Sequence, residues 1–418
     1  MKKKIVLLFY ALFALLVCSL YLPPAFYSLF TAVLVILSGI ALFYGYRLNF
    51  RQPLPWLCIG FYLAHLNGLF MGGDFTTTLS GAQSKLSFVL LPFILMVFTP
   101  LLTRSFFRKL IAAFFYSSII ICIVILMVSA TNLLQDYVRL AGEDRADDLR
   151  YFRYFYSSIL THGYIHRSYL GLMLGAALIS SPFIMPLHGT KRLFFFLGAG
   201  LLLAVLFLLQ SRMILVAFVI STVVYFIIKI IQTRSLKWTL YLGTTLTILA
   251  IVGYIFSNSP YNRFNQMQVE QFEMSDDSFS GTTIRLAIWE NAFDIIKNQP
   301  LWGTGYGKVE EVRINTYAKN KFTKGVRRKY NSHNQFLETQ VVAGIPGSFF
   351  LTALFITLTV ISWQRKDLHL FILSLFFLLS MQTEAMLERQ LAVGFFCTYL
   401  LSMAMGRKVA FKSTKKAR

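Results

Sequence analysis

Long apolar runs, broken at intervals by short clusters of basic residues, dominate this chain from Ile5 to Met405. Runs long enough to cross a hydrocarbon core of about 30 Å recur along it. They lie near residues 5–22, 26–46, 55–71, 86–102, 110–130, 167–187, 193–210, 212–232, 238–257, 339–362, 368–383 and 389–406. The pattern predicts an all-α polytopic membrane protein with about 12 transmembrane helices and both termini on one side. One long hydrophilic stretch, residues 258–338, interrupts it. The expected organisation is therefore nine spans in residues 1–257, a large extramembrane loop in 258–338, three more spans in 339–406 and a basic tail in 407–418.

Within the loop, Ile284, Ile288, Ala292, Ile295 and Ile296 recur at helical spacing, and Pro300 and Gly303 follow as a stop. This predicts a helix from about 283 to 298, lying across the outer membrane face. A second, shorter external segment, residues 131–166, mixes Glu143, Asp144, Asp147 and Asp148 with Arg139, Arg145, Arg150 and Arg153.

Composition agrees with the pattern. With 56% hydrophobic residues, 41 Phe and 21 Tyr among 418, the chain carries more apolar surface than a soluble core of this size could bury. The net charge of +22 could suggest nucleic acid, but its distribution removes that need. If the N-terminus is cytoplasmic, that side receives 21 of the 40 basic residues and only one acid, Asp367; the other side keeps 19 basic residues and 17 acids. The positive-inside rule accounts for the asymmetry and turns the long loop outward. Lys2-Lys3-Lys4 and the following apolar run are expected to form the first span rather than a cleaved leader. The tail from Lys408 to Arg418 is expected to lie near anionic lipid. Cys18, Cys58, Cys122 and Cys397 fall inside predicted spans without metal-ligand spacing, which points to packing rather than a disulfide or metal site.

Charges at the membrane boundary carry the candidate chemistry. Arg212 follows Gln210-Ser211 and precedes an apolar run. It is either a snorkelling anchor or a guanidinium whose planar fork is offered to an anionic group such as a phosphate. Arg285 stands four residues before Trp289 on the predicted helix, where a solvated face is the plain reading. His333 lies in Ser332-His333-Asn334-Gln335, where the loop re-enters the membrane, behind the basic approach Arg327-Arg328-Lys329. A lone His is usually structural, yet its ordinary pKa of about 6.5 makes it a versatile proton acceptor. Gly303, Gly305, Gly307 and Lys308 have the wrong spacing for a phosphate loop and read as a tight turn. Asp276-Asp277 reads as a solvated acidic loop rather than an ion site. Glu384, Glu388, Arg389 and Gln390 form a polar cluster expected to hold an Arg of the site in place.

Together, Arg285-Leu-Ala-Ile-Trp289, Pro300-Leu-Trp-Gly-Thr-Gly-Tyr-Gly307, Ser332-His333-Asn334-Gln335 and Gly344-Ile-Pro-Gly347 resemble the signature of the O-antigen ligase superfamily. Ser211-Arg212 matches an Arg that the family places at the outer end of a central span. His166-Arg167-Ser168-Tyr169 is similar to a His-x-[ST]-Tyr motif of some members, with Arg167 replacing the more usual Pro. The resemblance covers about residues 160–350; the first 130 residues match in topology alone.

The resemblance implies a C-type glycosyltransferase of the bacterial inner membrane, with its active site facing the periplasm and no cofactor or metal. The donor would be a glycan on undecaprenyl diphosphate and the acceptor a lipid A core sugar hydroxyl. His333, Arg285 and Arg212 would be catalytic: the arginines neutralise the departing diphosphate and the histidine orients or deprotonates the acceptor. His166, Arg167, Tyr169, Trp289, Asn334, Gln335 and Arg389 would bind substrate. The basic stretch 324–329 is either a site for anionic acceptor groups or a solvated loop. An O-antigen polymerase and a protein O-oligosaccharyltransferase share the motifs. A transporter of glycan or lipid would instead place polar or broken helices at midplane, where His65 and Asn67 are sparse candidates. Membrane lipids are expected partners, and the oligomeric state stays open.

Overall fold

The computed structural model describes residues 1–141, 165–186, 189–257 and 281–406. Regular structure among the described residues is helical throughout. The acid-rich part of the first external segment from residue 142, Asp276-Asp277 and the tail beyond Gly406 lie outside the described residues.

The helices in chain order are α1 Lys2–Cys18, α2 Pro24–Phe43, α3 Pro53–Ala64, α4 Gly68–Met71, α5 Phe75–Ser84, α6 Ser87–Phe98, α7 Arg104–Ala141, α8 Arg167–Ser180 and α9 Thr190–Leu208. They continue with α10 Arg212–Thr233, α11 Leu236–Ser257, α12 Gly281–Asn298, α13 Tyr306–Lys319, α14 Thr323–Arg328, α15 Gln335–Arg365, α16 Leu368–Ser380, α17 Gln390–Phe395 and α18 Ser402–Met405. Starts follow local chemistry. Pro24 occupies the first turn of α2, where its missing N–H costs nothing. Asp74 caps α5 by accepting from the Thr76 and Thr77 amides at 3.3 and 2.8 Å. The Thr77 and Thr76 hydroxyls also bond that carboxylate, and its pKa is lowered to about 2.

Each of the twelve predicted stretches contains helix. Eight segments among the described residues are long and apolar enough to cross a membrane: 2–21, 24–43, 53–71, 75–101, 104–132, 190–208, 212–233 and 335–365. Shorter apolar helices occupy 236–251, 368–380 and 390–405. The stretch expected at 167–187 gives only the 14-residue α8, because Pro182 follows in a 3-10 turn that ends the helix. Helix α15 starts four residues ahead of the expected 339, since Asn334 supplies its cap.

The chain folds as two compact units, residues 1–110 with 281–418 and residues 111–280. The first has an aromatic core: Phe9 stacks on Phe98 at 4.3 Å, Phe61 meets Phe88 edge-on at 5.0 Å, and Phe395 stacks on Tyr399 at 5.4 Å. Helix α15 packs on α3, α16 and α12 there. In the second unit α8 packs on α9 and α10, and α10 on α11, with Phe115 stacked on Phe195 at 5.1 Å.

Candidate functional site

Helix α12 forms where the apolar spacing predicts it. It buries Ile288, Ala292 and Ile295, the last two against Tyr306, Val309, Val341 and Val342 of α13 and α15. Helix α15 breaks at Gly344, which adopts φ 61° and ψ −156°. The break frees two carbonyls. Val342 loses its partner because Pro346 has no N–H, and Val341 loses its partner because the Ile345 amide turns to Leu301 O at 3.0 Å. The glycine turn replaces both: Thr304 N donates to Val341 O at 2.8 Å and Gly305 N to Val342 O at 2.9 Å. Asn67 Nδ2 adds a bond to Val342 O at 2.9 Å and another to Trp302 O. Gly303 and Gly305 both take φ 68°, so the turn depends on residues without a Cβ. The glycine-rich stretch and Gly344-Ile-Pro-Gly347 thus fit one another, and a tight turn is what the structure contains.

His333 sits just ahead of α15 with φ 42°, a left-handed conformation that needs support from outside. Support comes from all sides. Trp289 Nε1 donates to Ser332 O at 3.0 Å, and Ser332 N donates to Glu338 Oε2 at 2.9 Å. Arg313 Nη2 holds the other oxygen of Glu338 at 2.5 Å. Asn334 Oδ1 caps the Phe336 and Leu337 amides at 2.9 and 3.2 Å, while its Nδ2 donates to Gln382 O at 2.9 Å. His333 Nδ1 lies 3.3 Å from Glu384 Oε1, and the histidine side chain keeps 28% of its surface exposed.

Behind this turn lies a buried polar network. Lys85 is wholly excluded from solvent and bonds Glu388 Oε1 at 2.9 Å and Leu387 O at 2.8 Å. Tyr306 OH donates to Glu388 Oε2 at 2.8 Å, and Gln335 Nε2 donates to Glu388 Oε1 at 3.2 Å. Gln335 Oε1 accepts from Leu387 N at 2.6 Å. Burial alone would raise the Glu388 carboxyl, but Lys85, Tyr306 and Gln335 hold it below its ordinary value. Burial and the neighbouring Glu388 push the Tyr306 phenol well up, so it stays a neutral donor.

Of the predicted site residues, His333, Trp289, Asn334 and Gln335 come together in the first unit. Arg285 is half-buried on α12, one turn before Trp289. Arg389 is exposed at the start of α17. Gln335 was expected to touch substrate, yet it is fully buried and both ends of its amide are bonded to protein. Asn334 likewise spends its amide on the helix cap and Gln382. Within the cluster at 384–390, Glu388 pairs with Lys85.

In the second unit His166 is the N-cap of α8, its Nδ1 accepting from Ser168 N at 3.4 Å, with Tyr169 buried 5.8 Å away ring to ring. Arg167 is the first residue of α8. Arg212 opens α10, half-buried behind the Ser211 cap.

Residue-by-residue reading missed Lys85, Tyr306, Arg313 and Glu338. A lysine at the head of an apolar run was a usable signal for the first. The Arg313–Glu338 pair carries none, because its partners sit on different helices.

Residues 197–352 match the family model described as O-antigen ligase. An uncharacterized protein of Haemophilus influenzae is 26% identical over 157 residues, a stretch covering 36% of this chain and 38% of that relative. The matched segment contains Arg212, the α12 motif, the glycine turn, His333 and the Gly344 break, and over it the chain is similar to the O-antigen ligase family.

Proposed function

We propose that the chain is a glycosyltransferase of the O-antigen ligase type. It moves a glycan from undecaprenyl diphosphate to a lipid A core sugar hydroxyl at the periplasmic face of the inner membrane, where residues 258–338 form the large external loop. One observation carries the reading: within the family segment, the part-exposed His333 stands on a turn whose neighbours Ser332, Asn334 and Gln335 are all fastened to protein. A side chain held this way is suited to meeting a substrate in a fixed orientation.

In this reading His333 takes the proton of the acceptor hydroxyl. The freed oxygen attacks the anomeric carbon, and the bond from that carbon to the diphosphate breaks, with the electron pair leaving on the carrier. Arg285 and Arg212 are assigned to offset the charge that builds on the diphosphate, a task suited to a guanidinium fork. Trp289 holds the His333 turn through Ser332. His166, Arg167, Tyr169 and Arg389 are assigned to substrate contact. The carrier's polyprenyl chain would stay in hydrocarbon, so no diffusing cofactor is needed.

The test is a lipopolysaccharide gel from cells lacking the protein, complemented with wild type or His333→Ala. Rough lipopolysaccharide with full-length polymer left on the carrier supports a ligase. A single repeat on the core points to a polymerase. Unchanged lipopolysaccharide would overturn both and direct attention to protein acceptors.

A further inference from the structure

The connection from Met381 to Glu388 runs beside the Ser332–Gln335 turn and is fastened to it on both sides of Glu384. Gln335 N donates to Met381 O at 2.9 Å and Asn334 Nδ2 to Gln382 O at 2.9 Å on one side, and Leu387 N donates to Gln335 Oε1 at 2.6 Å on the other. Glu384 is therefore held against the histidine by a bracket of three bonds. Its Oε1 stands 3.3 Å from His333 Nδ1, at ion-pair distance rather than in an aligned hydrogen bond. Nδ1 is sealed from solvent although the side chain retains 28% exposure. The open edge of the ring is accordingly the one that bears Nε2.

We propose that Glu384 is a positioning residue for His333. When that 3.3 Å contact closes into an aligned hydrogen bond, Glu384 accepts the Nδ1 proton and fixes the tautomer whose Nε2 lone pair points outward. When Nε2 takes the acceptor's proton, the O–H bond breaks and an N–H bond forms, and Glu384, still ionised, balances the imidazolium. This rests on the reading of His333 as the base. Two further carboxylates near the turn have partners of their own: Glu338 pairs with Arg313 and Glu388 with Lys85. Tyr330 approaches the imidazole ring at 5.9 Å, and Arg285 lies one turn along α12 from Trp289. Among the described residues, Glu384 is the carboxylate at ion-pair distance from the imidazole.

The experiment measures transfer against pH in membranes holding the full-length protein, with a synthetic polyprenyl diphosphate-linked oligosaccharide as donor and core lipid A as acceptor. Glu384→Gln keeps an acceptor oxygen but loses the charge. The expected result is a rate lower by about tenfold, with the acid limb of the profile displaced to lower pH. Glu384→Ala should lose about a hundredfold, and Glu384→Asp should recover part of that, all at unchanged protein abundance. Wild-type rates in both Glu384→Gln and Glu384→Ala, or an equal loss with an unmoved acid limb, would overturn the proposal while His333→Ala stays inactive. Wild-type transfer by His333→Ala would instead remove the base reading and this proposal with it.

Discussion

Lys85 and Glu388, 303 positions apart in the chain, form an ion pair of 2.9 Å in which the lysine has no access to solvent. Two charges removed from water repay their desolvation only with well-placed partners. Here Leu387 O, Tyr306 and Gln335 supply them.

Removing one partner should therefore be worse than removing both. Lys85→Met is expected to cost about 3–5 kcal/mol, and adding Glu388→Gln should return much of the loss. Thermal unfolding in detergent reads this directly. A double variant no more stable than the single would show that the pair is not the source of the effect.

The same pair sets a dependence on pH. Glu388 is held below its ordinary value of 4.5, so its contribution is complete above that value and drains away as pH falls through the depressed one. The melting temperature should be level down to about pH 5 and then decline, and the Lys85→Met, Glu388→Gln double variant should decline less steeply. Identical acid limbs for the two proteins would refute the assignment.

What could be read from the sequence divides along a physical line. Apolar runs located the spans, and the spacing of Ile288, Ala292 and Ile295 located α12, because burial leaves a periodic mark on one element. The glycine turn was legible from Gly303 and Gly305, and the polar tetrapeptide Ser332–Gln335 singled out His333 as a candidate. Contacts between distant elements leave no such mark. Nothing local to Arg313 announces Glu338, and nothing in Gln335 announces that Leu387 and Glu388 consume its amide. For the same reason Gln335 looked available to substrate when it is scaffold.

Gly344 tests the broken helix. A Cβ there would meet Leu301 O and would force a side-chain-bearing residue into φ 61°. Gly344→Ala should lose at least about 1–3 kcal/mol and lower abundance in membranes. Gly243→Ala is the control, since nothing lies within 4 Å of a Cβ at that helical position, and it should be neutral or slightly stabilising. Equal behaviour of the two variants would remove the strain account.

His333→Ala should abolish glycan transfer, by about 10²-fold or more, with the protein still present at normal levels. Immunoblot and lipopolysaccharide gel together decide it. Normal transfer in that variant would leave His333 with a purely structural role.

Arg212→Lys preserves charge and removes the two-pronged geometry. Loss of most activity is expected if the guanidinium engages a diphosphate. Full activity in the lysine variant would reduce Arg212 to an anchor at the start of α10.

The break at Gly344 also bears on how the chain is made. The carbonyls of Val341 and Val342 lose their helical partners at a point where lipid could not replace them. Their substitute donors, Asn67 and the Thr304 and Gly305 amides, all lie earlier in the chain. During vectorial synthesis those donors leave the ribosome before the break does. The interrupted span thus emerges into a membrane where the groups that complete it already exist, and a fragment starting after Gly305 would have to insert with two bare carbonyls.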